Sequence, residues 1–177
     1  MRAKWLWVLA LTALLGGCGQ GRAIFDIDVF SFLHATAADT LPYIGPLPPG
    51  VPDTIPVQTV NSLGIGTSSI VDTVRLTGTV DFVNATGTGN VAFQVYFDSV
   101  KSSVYSGTPA FSVTGAVTPS ATTTSPFTIP NLPDALKPLF LASTVYVGIR
   151  ASATGTIRGT AKLTALRARI VIQDKIF

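Results

Sequence analysis

Residues 70–98, IVDTVRLTGTVDFVNATGTGNVAFQVYFD, carry the reading on which the fold turns. Ile70, Val74, Leu76, Val80 and Phe82 share one face of an extended chain, with Thr73, Arg75, Thr77, Thr79 and Asp81 opposite. That alternation describes a half-buried strand. Val91, Phe93, Val95 and Phe97 then alternate with Gln94, Tyr96 and Asp98, after a turn at residues 84–90 that holds Gly87 and Gly89. Two such runs around a Gly-containing turn predict a β-hairpin. The rest of the composition agrees: the chain has no glutamate, few strong helix formers and many β-branched residues, which suit a pleated surface.

On the N-terminal side, residues 24–33 read as a first strand, with Phe25, Ile27 and Val29 alternating with Asp26 and Asp28. From Phe30 both faces turn apolar, which predicts a bulge or a change of sheet. Residues 34–56 hold prolines at 42, 46, 48, 49, 52 and 56. Proline lacks the amide donor of a central strand, so this segment is expected to be an extended surface loop. Leu41, Tyr43, Ile44 and Leu47 would pack it down, or it would serve as a partner-recognition loop. A short strand at residues 55–60 and a Gly-rich connection at 61–67 follow.

On the C-terminal side, Val104 and Tyr105, then Phe111, Val113 and Val117, suggest one or two strands, and residues 119–130 a Thr- and Ser-rich connection. One helical turn is expected at residues 133–137. Val145, Val147 and Ile149 open a final hairpin that turns near Gly155 and returns through residues 157–172. Its return strand changes phase between Leu163 and Leu166, which a one-residue bulge near Thr164 or Ala165 would reconcile. Thr-Gly-Thr strings recur at irregular intervals and define no repeat. The expected fold is all-β, an immunoglobulin-like β-sandwich of about 7–9 antiparallel strands, with a closed barrel as the alternative.

The first eighteen residues, MRAKWLWVLALTALLGGC, give a cellular address. Arg2 and Lys4 precede an apolar run from Trp5 to Leu15, and Gly16 and Gly17 stand before Cys18. That order is a secretion signal. It resembles the lipobox of bacterial lipoproteins, and the resemblance implies cleavage after Gly17, a diacylglyceryl thioether on Cys18 and an acylated new N-terminus. An ordinary cleaved signal peptide would instead leave the chain's single cysteine as an unpaired thiol. Eleven apolar residues fall short of the roughly 20 that a spanning helix requires. The implied organisation is a signal peptide (1–17), a lipidated tether (18–22) and one domain (23–177). The four residues after Cys18 span at most ~14 Å, so the domain would stand close to the bilayer. By the same resemblance, Gly19 in place of Asp favours the outer membrane.

Charge is distributed unevenly. Of twelve basic residues, Arg2 and Lys4 leave with the signal, so ten against nine aspartates give the mature chain +1. Residues 18–100 carry −5 and residues 101–177 carry +6. So small a total offers no support for nucleic-acid binding. Asp26 and Asp28 on the first strand match Arg167 and Arg169 on the last in spacing. Antiparallel pairing with 26 opposite 169 and 28 opposite 167 would set opposite charges face to face. Arg150, Arg158, Lys162, Arg167 and Arg169, with Lys175, form a candidate basic surface for anionic lipid headgroups or polysaccharide.

Catalytic chemistry finds little purchase. His34 is the single histidine, and no Gly-x-Ser-x-Gly elbow accompanies it. The Asp26-x-Asp28 pair supplies too few oxygens for calcium, and one histidine without a spare cysteine cannot fill a zinc site. No cofactor, metal or catalytic residue is expected. Residues 75–84, RLTGTVDFVN, resemble the amphipathic strand of bacterial lipoproteins with the LEA type 2 immunoglobulin-like domain. In that family the strand commonly leads into an Asn-Pro turn; Ala85 follows Asn84 here, and no functional residue transfers. The expected role is non-enzymatic: a membrane-anchored envelope module that binds or supports another envelope protein or polysaccharide. The alternative is a carrier of lipid or another hydrophobic ligand in a cavity between the sheets.

Overall fold

A computed structural model describes residues 21–48, 53–61 and 69–174. Nine strands are present among them: β1 (Arg22–Asp28), β2 (Thr40–Gly45), β3 (Gln58–Asn61), β4 (Ser69–Thr86), β5 (Gly89–Asp98), β6 (Phe111–Val117), β7 (Ala121–Ile129), β8 (Thr144–Gly155) and β9 (Ile157–Asp174). They form two antiparallel sheets, as the alternating pattern predicts. The first runs β1-β9-β4-β7, with β2 continuing beside β9 past the end of β1, and the second runs β3-β8-β5-β6.

Within this two-layer arrangement the connectivity is that of a jelly roll. β2 pairs with β9, β3 with β8, β4 with β7 and β5 with β6. The chain is therefore one long antiparallel ribbon whose tip lies between β5 and β6, rolled up so that successive pairs fall into opposite sheets. Both predicted hairpins are corrected by this order. β4 lies in the first sheet and β5 in the second, and β8 and β9 are divided in the same way. The turns at residues 87–88 and 156 cross between layers, and the apolar faces they join meet across the core rather than side by side.

The two corners are locked backbone to backbone. Gly87 (φ 77°) and Gly155 (φ 92°) adopt conformations that favour glycine, and a Cβ on Gly87 would collide with the Thr156 carbonyl. Asn84 is buried beside them. Its Nδ2 donates to the carbonyls of Gly87 (2.7 Å) and Thr118 (3.0 Å), and its Oδ1 accepts from the Tyr43 hydroxyl (3.2 Å). One side chain thus ties β2, the β4–β5 corner and the β6–β7 corner together.

The core fills the space between the sheets with Val74, Leu76, Val80, Phe82, Phe93, Ile149, Leu163, Leu166 and Ile170, all essentially sealed from solvent. Ile70, expected on the buried face, is 45% exposed. Asp72 is an extra residue on β4 opposite the continuous Val171-Ile172 step of β9, so the phase reverses and Val71 takes the core position.

Three other segments differ from expectation. The first strand stops at Asp28, and residues 29–35 form a short helix, α1 (Val29–Ala35). Asp28 caps it, accepting from the Ser31 amide (3.4 Å) and hydroxyl (2.7 Å). Apolar residues on both strand faces thus marked a helix, which turns Leu33 into the core. Within the proline-rich segment, β2 is a strand at the sheet edge, where Pro42 is tolerated; Leu41 and Tyr43 pack inward as predicted, while Leu47 is exposed. Residues 121–129 are a strand, not a connection. β7 was hidden because its inward side includes Thr123 and Ser125 beside Phe127 and Ile129. The turn predicted at 133–137 is present at 134–136 and continues into a 3-10 helix, Lys137–Leu141.

Candidate functional site

The strand β9 builds the site. Val80 pairs with Leu163 while Thr79 pairs with Ala165, which leaves Thr164 as an extra residue on β9. This is the bulge that the phase change predicted. Two bonds hold it: the Thr164 hydroxyl donates to the Thr79 carbonyl (3.3 Å), and the Leu163 amide donates to the Asp39 carbonyl (2.7 Å). The bulge decides where the basic residues point. Arg158 and Lys162 lie on even positions before it, Arg167 and Arg169 on odd positions after it, and all four are exposed on the outer face of the first sheet.

The neighbouring strands complete this face. On one side Asp26 is opposite Arg169 and Asp28 opposite Arg167, the register that the charge spacing predicts. On the other side Arg75 is opposite Arg169, Thr77 opposite Arg167, and Asp81 opposite Lys162. Strand alternation alone makes Arg75 an outward residue; its place beside Arg169 depends on the pairing of β4 with β9. An open cleft of about 550 Å³ lies over Asp26, Asp28, Arg75, Arg167 and Arg169.

Few of these charges are neutralised by contact. Among the described residues, the ion pairs within 4 Å are Arg22 with Asp72 (3.5 Å), His34 with Asp39 (2.9 Å), Lys137 with Asp134 (2.7 Å) and Arg150 with Asp53 (3.3 Å). None includes Arg75, Arg167 or Arg169. Asp28 is committed to the helix cap: the Ser31 hydroxyl, more than the Arg167 charge, holds its carboxyl below the usual carboxylate range. Asp81 accepts the Thr124 hydroxyl (2.8 Å). Beside the Arg22–Asp72 pair, five cations (Arg75, Arg158, Lys162, Arg167, Arg169) face three carboxylates (Asp26, Asp28, Asp81), which leaves the face at +2.

Arg150 does not join it. It belongs to the second sheet, where its guanidinium lies 5.6 Å from the Tyr96 ring and 5.5 Å from the Tyr105 ring. Its Nε stands 3.3 Å from Asp53 but makes no well-directed hydrogen bond, so the contact is a charge pair and a cation–π clamp. The Tyr105 hydroxyl donates to the Ile55 carbonyl (2.6 Å) and accepts from the Ile149 amide (3.1 Å). Together these groups hold residues 53–55 against β8. Cys18 and Lys175 lie outside the described residues, as does most of the Gly-rich connection.

His34 is partnered by Asp39. Its Nδ1 meets Asp39 Oδ2 at 2.9 Å and its ring stacks on Phe30 at 5.4 Å. Of the nearby hydroxyls, Ser31 bonds Asp28, Thr36 bonds the carbonyls of Phe32 and Leu33, and Thr40 donates to Asp39 Oδ1 (3.4 Å). Burial pushes the Asp39 carboxyl up, but the bond from His34 and the backbone outweigh it and hold the group below the usual range. The pair fastens α1 to the segment that supports the bulge.

Between the sheets, Leu76, Phe97, Phe140, Val147, Leu166 and Ile170 surround an apolar space of about 70 Å³. No helix among the described residues is long and apolar enough to cross a membrane.

No protein-family model matches the chain, and no curated protein matches it. Among solved structures, a chain of the T13 infectious bursal disease virus particle is 13% identical over 88% of this chain and 36% of its own, with a TM-score of 0.42. The Eiger TNF of S. frugiperda is 4% identical over 59% of this chain and 60% of its own, with a TM-score of 0.34. A xylanase 10B fragment of Clostridium thermocellum is 14% identical over 66% of this chain and 19% of its own, with a TM-score of 0.31. The chain thus spans about a third of the viral protein it resembles. The jelly-roll assignment rests on the strand order.

Proposed function

We propose that the chain is a bacterial envelope lipoprotein, anchored through Cys18 at the outer membrane, whose β-sandwich is a non-enzymatic interaction module. Its binding face is the outer face of the first sheet. The observation that supports this most is the Thr164 bulge, which aligns Arg158, Lys162, Arg167 and Arg169 on one side of a single strand. A face of net positive charge, its guanidinium groups outside ion-pair distance of the neighbouring carboxylates, attracts an anionic envelope component, and the attraction weakens with salt. The apolar space of about 70 Å³ favours this reading over a ligand carrier, because ligand pockets run from roughly 300 Å³ upward.

Two measurements test the proposal. Mass spectrometry of the mature N-terminus should find a diacylglyceryl group on Cys18. Mild detergent extraction should recover envelope components with the native chain, and lose them when Arg158, Lys162, Arg167 and Arg169 are all replaced by Gln. Identical companions for the native and fourfold variant chains would refute the assignment of the face.

A further inference from the structure

The cationic face carries an apolar margin on the side where the chain enters the domain. Arg22, the first residue of β1, is opposite Gln173, which is opposite Ile70. In the next row Ile24 is opposite Val171, and Val171 opposite Thr73. Ile24 is 53% exposed and Ile70 45% exposed at this end of the sheet; the other large exposed apolar residue of the face, Val83 (46%), is at the far end of β4. The next rows hold Arg169 with Arg75, then Arg167 with Thr77. The sheet therefore presents an apolar strip followed directly by three guanidinium groups.

We infer that this face lies flat on the membrane to which the chain is anchored, with Ile24, Val171 and Ile70 at the interface and Arg75, Arg167 and Arg169 on anionic phospholipid headgroups. The inference rests on the proposed anchor and deepens it by naming the partner of the same face. Three features select lipid over a soluble polymer. Exposed apolar side chains beside cations suit the headgroup boundary and have no use against a hydrated polysaccharide. The tether between Cys18 and Arg22 spans at most ~14 Å, and Arg22 is on the same outer face as the strip. The rows from Gln173 to Arg167 are six residue steps apart on β9, or roughly 20 Å at about 3.3 Å each, so the three arginines remain near the anchored end.

The arginines also need a counter-charge. Arg75 and Arg169 are directly opposite, a repulsive arrangement on a sheet surface. Asp26 and Asp28 are two charges against three guanidinium groups, and Asp28 is oriented by the Ser31 bonds of the helix cap. A layer of phosphodiesters supplies what the protein does not.

The test uses the lipidated chain. With the Cys18 thiol blocked by its thioether, Thr73→Cys offers a single site for an environment-sensitive fluorophore on the apolar strip, and Ser112→Cys on exposed β6 serves as the remote control. The chain is reconstituted into vesicles of phosphatidylcholine alone or mixed with phosphatidylglycerol. Each near-surface cation favours the bound state about fivefold, so a face at +2 should be held down about thirtyfold more in anionic vesicles. The probe at position 73 should then shift to the blue and become accessible to lipid-borne quenchers, while the probe at 112 stays unchanged. Replacing Arg75, Arg167 and Arg169 with Gln should abolish the difference.

Equal signals from both vesicle types, with the chain floating on both, would overturn the inference and leave the anchor standing. Failure to float with phosphatidylcholine, but flotation with phosphatidylglycerol, would overturn the anchor and uphold the face. Failure with both would overturn both. Equal vesicle signals together with arginine-dependent retention on an anionic polysaccharide would transfer the face to that partner and overturn the lipid assignment.

Discussion

Asn84→Ala removes a side chain that touches three parts of the ribbon at once. Its Nδ2 bonds to the Gly87 and Thr118 carbonyls and its Oδ1 bond from Tyr43 are lost together. Each hydrogen bond contributes about 1 kcal/mol net, and a buried group left without a partner costs about 1–3 kcal/mol. The Tyr43 hydroxyl is the most exposed to that cost, since its phenol is buried enough for desolvation to push its pKa up. A loss of about 3–5 kcal/mol follows, a large part of the stability of a typical domain. Urea unfolding followed by far-ultraviolet circular dichroism measures it. Tyr43→Phe provides the control: alone it should cost about 1 kcal/mol, and in the Asn84→Ala background it should restore about 1–3 kcal/mol, because it removes the hydroxyl left without a partner. A loss below about 1 kcal/mol for Asn84→Ala, or simple additivity of the two changes, would refute the view that this side chain holds the corners.

Two further outcomes are expected. Asp39 has its carboxyl held below its ordinary value in the folded state, so the stability it contributes is present above the unfolded pKa of about 3.9 and is lost as pH falls through the lower folded value. Asp39→Asn should flatten that part of the acid unfolding curve, and an unchanged curve would argue against the His34–Asp39 tie. Tyr105→Phe removes the acceptor of the Ile149 amide and the donor to Ile55. It should destabilise by about 1–2 kcal/mol and raise hydrogen exchange at Ile55, whose amide bonds the Ile149 carbonyl; unaltered exchange there would count against the clamp.

The features legible in the sequence were those that depend on alternation within one segment. The face of β4 from Val74 onward, the inward face of β5, the bulge at Thr164 and the β1–β9 register all follow from which residues are apolar and where the charges stand, whereas the extra residue at Asp72, which turns Ile70 outward, does not. What alternation does not contain is the identity of the neighbour. An apolar face has the same pattern whether the next strand lies beside it or across the core, so both corners with Gly87 and Gly155 read as hairpins. The edge strand β7, with Thr123 and Ser125 turned inward, shows apolar alternation only at Phe127 and Ile129, too short a run to mark a strand.

The candidate site divides in the same way. Arg158, Lys162, Arg167 and Arg169 were visible as a basic run on the last strand, but the tertiary structure removed Arg150 to the second sheet and added Arg75. By itself the sequence determined an all-β chain, the faces of its main strands, the phase change in β9 and the lipobox resemblance at Cys18. Only the tertiary structure decided the jelly-roll order, the commitment of Asp28 to a helix cap and the meeting of three arginines beside an apolar strip. The physical reason is range: side-chain direction along a strand is set by the two-residue repeat of its own backbone, whereas neighbours are chosen by burial and hydrogen bonding between segments far apart in the chain.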